Sequence, residues 1–271
     1  MTLVSTDWLS ENLNKVKIID ASWHLVKNRN AIEEYNREHI ENAIFFDLDK
    51  NSNQRKDLPH GHFLPSVNEH EKSLSEIGIL NTDRIIIYCY SDLISSCRVW
   101  FQFIYFGHDP KLVSVLNGGM KKWKLEGKKV TNLKTKIISS NYKAKENKNM
   151  IKLKSQIEEN IKRKEFTLLD ARSKNRFLGN EPEPRPGIKS GSIEGSKSMP
   201  LSEIVNVKDN TFLDTNKLRD IFNSNEIISN KIVMSCGSSV SAASLALAYS
   251  LINDDYIPKI YIGSWTEFGK N

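Results

Sequence analysis

Two spacings alternate along this chain. Short apolar runs of strand length occur at residues 16–20 (VKIID), 84–88 (RIIIY), 167–170 (TLLD) and 231–235 (KIVMS). Each is bounded by polar residues and separated from the next by segments with helical patterning, such as SLALAYSLI with Leu245, Leu247 and Leu251. The N-terminal MTLVSTDWLSENL reads as a strand running into a helix capped by Ser5 or Thr6. Strands that alternate with helices predict an α/β fold, with mainly parallel sheets covered by helices on both faces.

The pattern occurs twice. VKIIDAS in the first half, with Asp20, matches FTLLDARS in the second, with Asp170. REHIENAIFFDLD matches KSGSIEGSKSMPLSE, and RIIIYCYSDLISSCRVWFQFIYFG matches KIVMSCGSSVSAASLALAYSL. Each half closes on a strand, a glycine and a tryptophan: KLVSVLNGGMKKW against PKIYIGSWTEF. A repeat of this length predicts two domains of one fold. We expect a first domain over 1–130, a Lys-rich linker over 131–150 and a second domain over 151–271.

The repeat sets Cys89 opposite Cys236, each directly after its strand. Around Cys236 the small residues Gly237, Ser238, Ser239, Ser241, Ala242, Ala243 and Ser244 lead into the apolar helix. A cysteine at the carboxyl end of a strand and the amino end of a helix sits where open α/β sheets hold ligands. Free N–H groups at the helix start favour an anion, here a thiolate or its product. The alternative is a buried, inert cysteine, against which the polar, glycine-containing loop argues. A phosphate-cleaving cysteine loop closes with an arginine, and here Ala242 follows Ser241. A papain-like site needs a histidine base, yet all six histidines (His24, His39, His60, His62, His70, His108) lie in the first half.

Composition narrows the picture further. The 271 residues are enough for two cores, with 39% hydrophobic and 27% charged residues. No apolar run approaches the roughly 18 residues of a membrane span, and the N-terminus carries acids in place of a secretion signal. We therefore expect a cytoplasmic chain. Its cysteines, Cys89, Cys97 and Cys236, are odd in number and lack zinc spacing, so thiols are expected and no metal site. The net charge of +6 gathers between Lys121 and Lys154, where aromatics are few. That reads as solvated linker and not as a nucleic-acid or membrane surface.

Together CGSSVSA at Cys236, RFLGNEPEPRPGI from Arg176, FFDLD from Phe45, HFLP from His62, CRVW from Cys97 and LNGGMKKW from Leu116 resemble the two-domain sulfurtransferases of the rhodanese superfamily, and within it the 3-mercaptopyruvate group. The resemblance spans essentially the whole chain. It implies transfer of a sulfane sulfur from 3-mercaptopyruvate, through a persulfide on Cys236, to a thiol acceptor such as thioredoxin or to cyanide, with release of pyruvate. No cofactor is implied.

The resemblance also assigns residues. Ser238, His62 and Asp49 match a proposed serine–histidine–aspartate relay. Arg176 and Arg185 match a substrate-binding pair suited to a carboxylate. Gly237, Ser239, Val240 and Ser241 complete the loop around the sulfur. The family usually has glycine at the position of Ser239 and threonine at that of Ser241. Taken without the resemblance, His62 reads as a surface histidine with His60 beside it, Asp49 as a turn or cap, and Ser238 as a helix cap. Two other functions compete: a thiosulfate:cyanide sulfurtransferase, opposed by the neutral Gly237 and Ser238, and a persulfide carrier without its own donor, opposed by the arginine pair. The bulky loop after Cys89, with Tyr90, Asp92, Leu93 and Ile94, implies no second active centre. The first domain is expected to supply Asp49 and His62.

Overall fold

In a computed structural model, residues 2–25, 28–53, 57–58, 61–227 and 231–270 are described. The chain forms two compact units. The first comprises Met1–Asn51, Pro65–Asn147 and Val207–Thr211, and the second Ser52–Leu64, Lys148–Asn206 and Phe212–Asn271.

In the first unit the order is β1 (Leu3–Val4), α1 (Thr6–Asn12), β2 (Lys17–Asp20), α2 (Ala31–Arg37), β3 (Ala43–Phe45), α3 (Val67–Glu76), β4 (Ile85–Tyr88), α4 (Ser96–Tyr105), β5 (Val113–Leu116) and α5 (Gly119–Leu125). In the second it is β6 (Ile151–Lys152), α6 (Lys154–Arg163), β7 (Thr167–Asp170), α7 (Lys174–Leu178), β8 (Lys197–Ser198), α8 (Thr215–Ser224), β9 (Ile232–Ser235), α9 (Val240–Ser250), β10 (Ile260–Tyr261) and α10 (Ser264–Phe268).

The sheets have the same topology, β1-β5-β4-β2-β3 and β6-β10-β9-β7-β8. Every strand pair in them is parallel. The strand order reverses direction after β3 and after β8. Right-handed crossovers on either side of such a reversal put helices on both faces of each sheet.

Local chemistry explains the elements. Ser5 caps α1, accepting from the Trp8 N–H at 3.1 Å. Ser66 and Glu69 form a capping box on α3. The central strands β4 and β9 are buried along their whole lengths, as are their following helices α4 and nearly all of α9. This is why those segments read as continuous apolar runs and not as alternating ones.

The aspartates that mark the repeat do the same job in both units. Asp20 accepts from the Ser22 N–H at 2.9 Å, and Asp170 from the Arg172 N–H at 2.9 Å. Each carboxylate thereby turns the chain at the end of its strand. Burial pushes the Asp20 carboxyl upward, against the hydrogen bonds from Ser22.

Residues 131–147 run extended along the first unit. Thr131 bridges to His39, the Ser140 N–H donates to the Ser75 carbonyl at 2.9 Å, and the Lys145 N–H to the Phe106 carbonyl at 3.0 Å. Tyr142 is buried, with its ring stacked on His108 and its hydroxyl 3.1 Å from His108 Nδ1. The lysines of this stretch are mostly exposed. Among the described residues no helix is long and apolar enough to cross a membrane.

Candidate active site

Cys236 follows β9 directly and is almost wholly buried, at 2% exposure. Its loop, 236–239, connects β9 to α9, so the cysteine stands just ahead of the first N–H groups of a buried eleven-residue helix. Ser239, at the N-cap, has φ +63°. A left-handed conformation suits glycine and strains a side chain. The glycine that the resemblance leads one to expect at this position would relieve that strain.

His62 lies in the second unit, although it belongs to the first half of the sequence. The segment 52–64 carries it. The expectation that the first domain supplies His62 is corrected accordingly. Its Nδ1 is 2.9 Å from the Ser238 hydroxyl, and its carbonyl accepts from the Ser239 hydroxyl at 3.3 Å. Both residues are buried, so His62 is not a surface histidine. The Lys270 ammonium donates to the Asp57 carbonyl in the same segment. His60 lies outside the described residues. Asp49 lies in the first unit, where its carboxylate accepts from the Trp23 indole N–H at 3.0 Å.

The arginines converge on the loop. Arg185 is buried and its Nη2 donates to the Ser238 hydroxyl at 2.8 Å. A Cβ placed on Gly237 would sit 3.1 Å from Arg185 Nη1 and 3.2 Å from Arg176 Nη2. A Cβ there would press on both guanidinium groups, which lie against the loop at this glycine. Arg176 is engaged by Glu183, with Nε 3.2 Å and Nη2 2.5 Å from the two carboxylate oxygens.

The same Glu183 accepts from Arg172 at 2.7 Å, and Arg172 is forked on Asp170 and lies over the Trp265 ring, 4.7 Å from its centroid. Burial works against the charge on Arg172, but its bonds to Asp170 and the Glu183 charge raise its pKa. An Asp170–Arg172–Glu183–Arg176 chain therefore fixes the rim of the site. Val240 and Ser241 begin α9, and both are buried.

Several residues were not found by sequence reasoning: Arg172, Glu183, Ser264 and Thr266. Arg172 stands in DARS, beside the aspartate that marked the repeat. Glu183 lies inside the GNEPEP turn. Ser264 is in the GSW that closes the second half. Its hydroxyl accepts from the N–H groups of Cys236 at 3.2 Å and Ser239 at 3.1 Å. Thr266 donates to the Gly237 carbonyl through both its N–H, at 2.9 Å, and its hydroxyl, at 2.6 Å.

The first unit handles its cysteine differently. Cys89 is buried, its thiol 3.4 Å from the Ser96 hydroxyl. Arg29 lies over the Tyr90 ring and donates to the Tyr90 carbonyl at 2.9 Å. Side chains of the unit itself occupy that loop.

One helix start thus gathers a buried cysteine, a serine bonded to both an arginine and a histidine, and two guanidinium groups against one glycine. The rhodanese-like domain model matches residues 5–126 and 153–271, and the chain belongs to the rhodanese family. It is an enzyme of that family, a sulfurtransferase. The chain is 36% identical to the mitochondrial thiosulfate/3-mercaptopyruvate sulfurtransferase 1 of Arabidopsis thaliana, over 98% of this chain and 75% of the relative. Identity to the 3-mercaptopyruvate sulfurtransferase of Homo sapiens is 33%, over 98% of this chain and 91% of the relative. The crystal structure of SseA from Escherichia coli, described as a 3-mercaptopyruvate sulfotransferase, superposes with a TM-score of 0.85 at 27% identity, covering 98% of this chain and 99% of that one.

Proposed function

We propose that this sulfurtransferase takes its sulfur from 3-mercaptopyruvate. The Cys236 thiolate attacks the donor sulfur and forms an S–S bond while the donor's C–S bond breaks. The electron pair passes to the carbon and on to the adjacent carbonyl oxygen as an enolate. One proton then yields pyruvate, and a thiol acceptor, thioredoxin-like in chemistry, removes the sulfur from the Cys236 persulfide. N–H groups of the loop that follows Cys236 cradle the persulfide.

The arrangement Arg185–Ser238–His62 carries this reading. A serine oxygen has two lone pairs and one hydrogen. With Arg185 donating to it, the Ser238 hydroxyl is left to give its hydrogen to a neutral His62. When His62 is protonated it donates instead, and the hydroxyl hydrogen is freed for the enolate oxygen. The pair works as a two-way proton relay. Asp49 is proposed as the carboxylate of that relay on the strength of the sequence resemblance. Arg185 and Arg176 hold the substrate carboxylate.

Two guanidinium groups beside Gly237 also suit the dianion thiosulfate, and this observation supports a second reading. Glu183 offsets the charge of Arg176, and the smaller net positive charge beside Gly237 suits the singly charged keto acid better than a dianion. The proposed compartment is cytoplasmic, in keeping with three buried thiols.

The test is a donor comparison. Purified protein receives mercaptopyruvate or thiosulfate with a thiol acceptor, and pyruvate or sulfite is measured. Mercaptopyruvate is expected to be the better donor, and mass spectrometry is expected to find one added sulfur on Cys236. Cys236→Ser should abolish transfer, because an alcohol cannot hold a persulfide. Retained turnover in that variant overturns the proposal.

A further inference from the structure

The loop that holds Cys236 does not set its own shape. Five hydrogen bonds fasten it to residues 264–266. The Ser264 hydroxyl accepts from the Cys236 and Ser239 N–H groups at 3.2 and 3.1 Å, the Trp265 N–H donates to the Cys236 carbonyl at 2.9 Å, and Thr266 donates twice to the Gly237 carbonyl, at 2.9 and 2.6 Å. Ser264 is fully buried, and its hydroxyl donates to the Tyr261 carbonyl at 2.9 Å. Both lone pairs and the hydrogen of this oxygen are therefore committed. Ser264 has φ +50°, a left-handed conformation that strains a non-glycine residue.

The internal repeat supplies a control within the molecule. Gly119 stands where Ser264 stands, has φ +53°, and precedes Met120, whose N–H donates to the Cys89 carbonyl at 3.0 Å. The backbone contact is shared by the two units, but the hydroxyl clamp is not, since glycine has no side chain. A Cβ on Gly119 would collide with the Cys89 carbonyl. The serine thus accompanies the cysteine loop that faces the arginine pair, and it keeps a left-handed backbone that glycine would adopt without strain.

We infer that Ser264 is the positioning residue of the sulfur-carrying loop: its hydroxyl draws the Cys236 and Ser239 N–H groups away from the sulfur and onto itself. Two consequences follow. The N–H groups of residues 236 and 239 are not part of the persulfide cradle, which is left to Gly237, Ser238 and the first residues of α9. Cys236 is held in one backbone position, as an attack on a fixed donor sulfur requires. This inference rests on the reading of Cys236 as the sulfur carrier.

The test uses Ser264→Gly, which fits the left-handed backbone and lacks the hydroxyl, together with Ser264→Ala, which keeps a Cβ, and Cys236→Ser as the control. For mercaptopyruvate, both Ser264 variants are expected to lower kcat about 10- to 100-fold, the scale of a displaced reacting group, while KM stays within about threefold. A purely structural role would lower thermal stability and leave kcat of the folded protein close to the parent's. If folded Ser264→Gly keeps kcat within twofold while Cys236→Ser is inactive, this inference alone is overturned. If Cys236→Ser stays active, the sulfur-carrier reading itself fails.

Discussion

His62 and Ser238 stand 176 positions apart in the chain and 2.9 Å apart at their hydrogen bond, Nδ1 to hydroxyl. The bond is buried on both sides, and the serine also accepts from Arg185. Serine alone at a helix start would be an ordinary cap. Held between a guanidinium and an imidazole, it is placed as the proposed relay requires.

That relationship makes a prediction. His62→Asn and Ser238→Ala should each lower kcat for mercaptopyruvate about 100-fold, the usual worth of a positioned acid–base group. The double variant should be little worse than either single one, because residues acting as a unit are not additive. Pyruvate release across the four proteins is the measurement. Independent, multiplying losses would mean that the two side chains do not act together.

Gly237→Ala tests the arginine pair without removing either arginine. The new Cβ would stand 3.1 and 3.2 Å from the two guanidinium groups, closer than ordinary packing. The flexible arginine ends should shift and loosen their hold on the carboxylate. About 1 kcal/mol of lost binding is expected, or roughly a fivefold rise in KM, with kcat nearly unchanged. Steady-state kinetics with mercaptopyruvate decide it. An unaltered KM would show that the substrate does not reach this spot.

Cys89→Ser should leave sulfur transfer within about twofold of the parent, as expected for a change outside the chemistry. The Cys89 thiol is packed 3.4 Å from the Ser96 hydroxyl, in a loop filled by Tyr90 and Arg29. A persulfide on Cys89 after donor treatment, found by mass spectrometry, would contradict this.

Stability should fall in mild acid through His70. This histidine is fully buried, stacked on Phe106 at a centroid distance of 4.1 Å, with Nδ1 3.3 Å from the Gln102 amide nitrogen. Burial first, then the nearby Arg98 charge, pushes its pKa from 6.5 down to about 3. Above pH 6.5 both folded and unfolded chains hold it neutral, and it has no effect on the balance. Below that, only the unfolded chain takes the proton, and stability is lost down to the folded pKa. From pH 6.5 to 4.5 the loss is roughly 2–3 kcal/mol. Urea unfolding at pH 7 and pH 4.5 should show a smaller difference in His70→Phe than in the parent. An equal difference in the variant would assign the acid sensitivity to other groups.

The fold was legible because it is written twice. Apolar strands ending in Asp20 and Asp170, and cysteines directly after β4 and β9, are local patterns that short-range chemistry dictates. The loop at Cys236 was legible for the same reason, since strand, small residues and apolar helix are contiguous. Ser264 was not, because its role depends on a hydroxyl reaching residues 25 and 28 positions away, and no local pattern separates it from a turn serine. Glu183 was hidden inside a proline-rich turn that reads as solvent-exposed. The placement of His62 was hidden too: sequence order assigns it to the first half, and only the excursion of 52–64 carries it into the second unit.

That excursion has a counterpart. The second half of the chain returns Val207–Thr211 to the first unit, while the first half gives Ser52–Leu64 to the second. A single cut in the stretch between the repeats therefore does not recover two complete units. The downstream fragment would carry Cys236 and its clamp without the histidine that addresses Ser238, and the upstream fragment would lack a piece of its own surface. Each half of the sequence thus depends on a loan from the other to complete its unit.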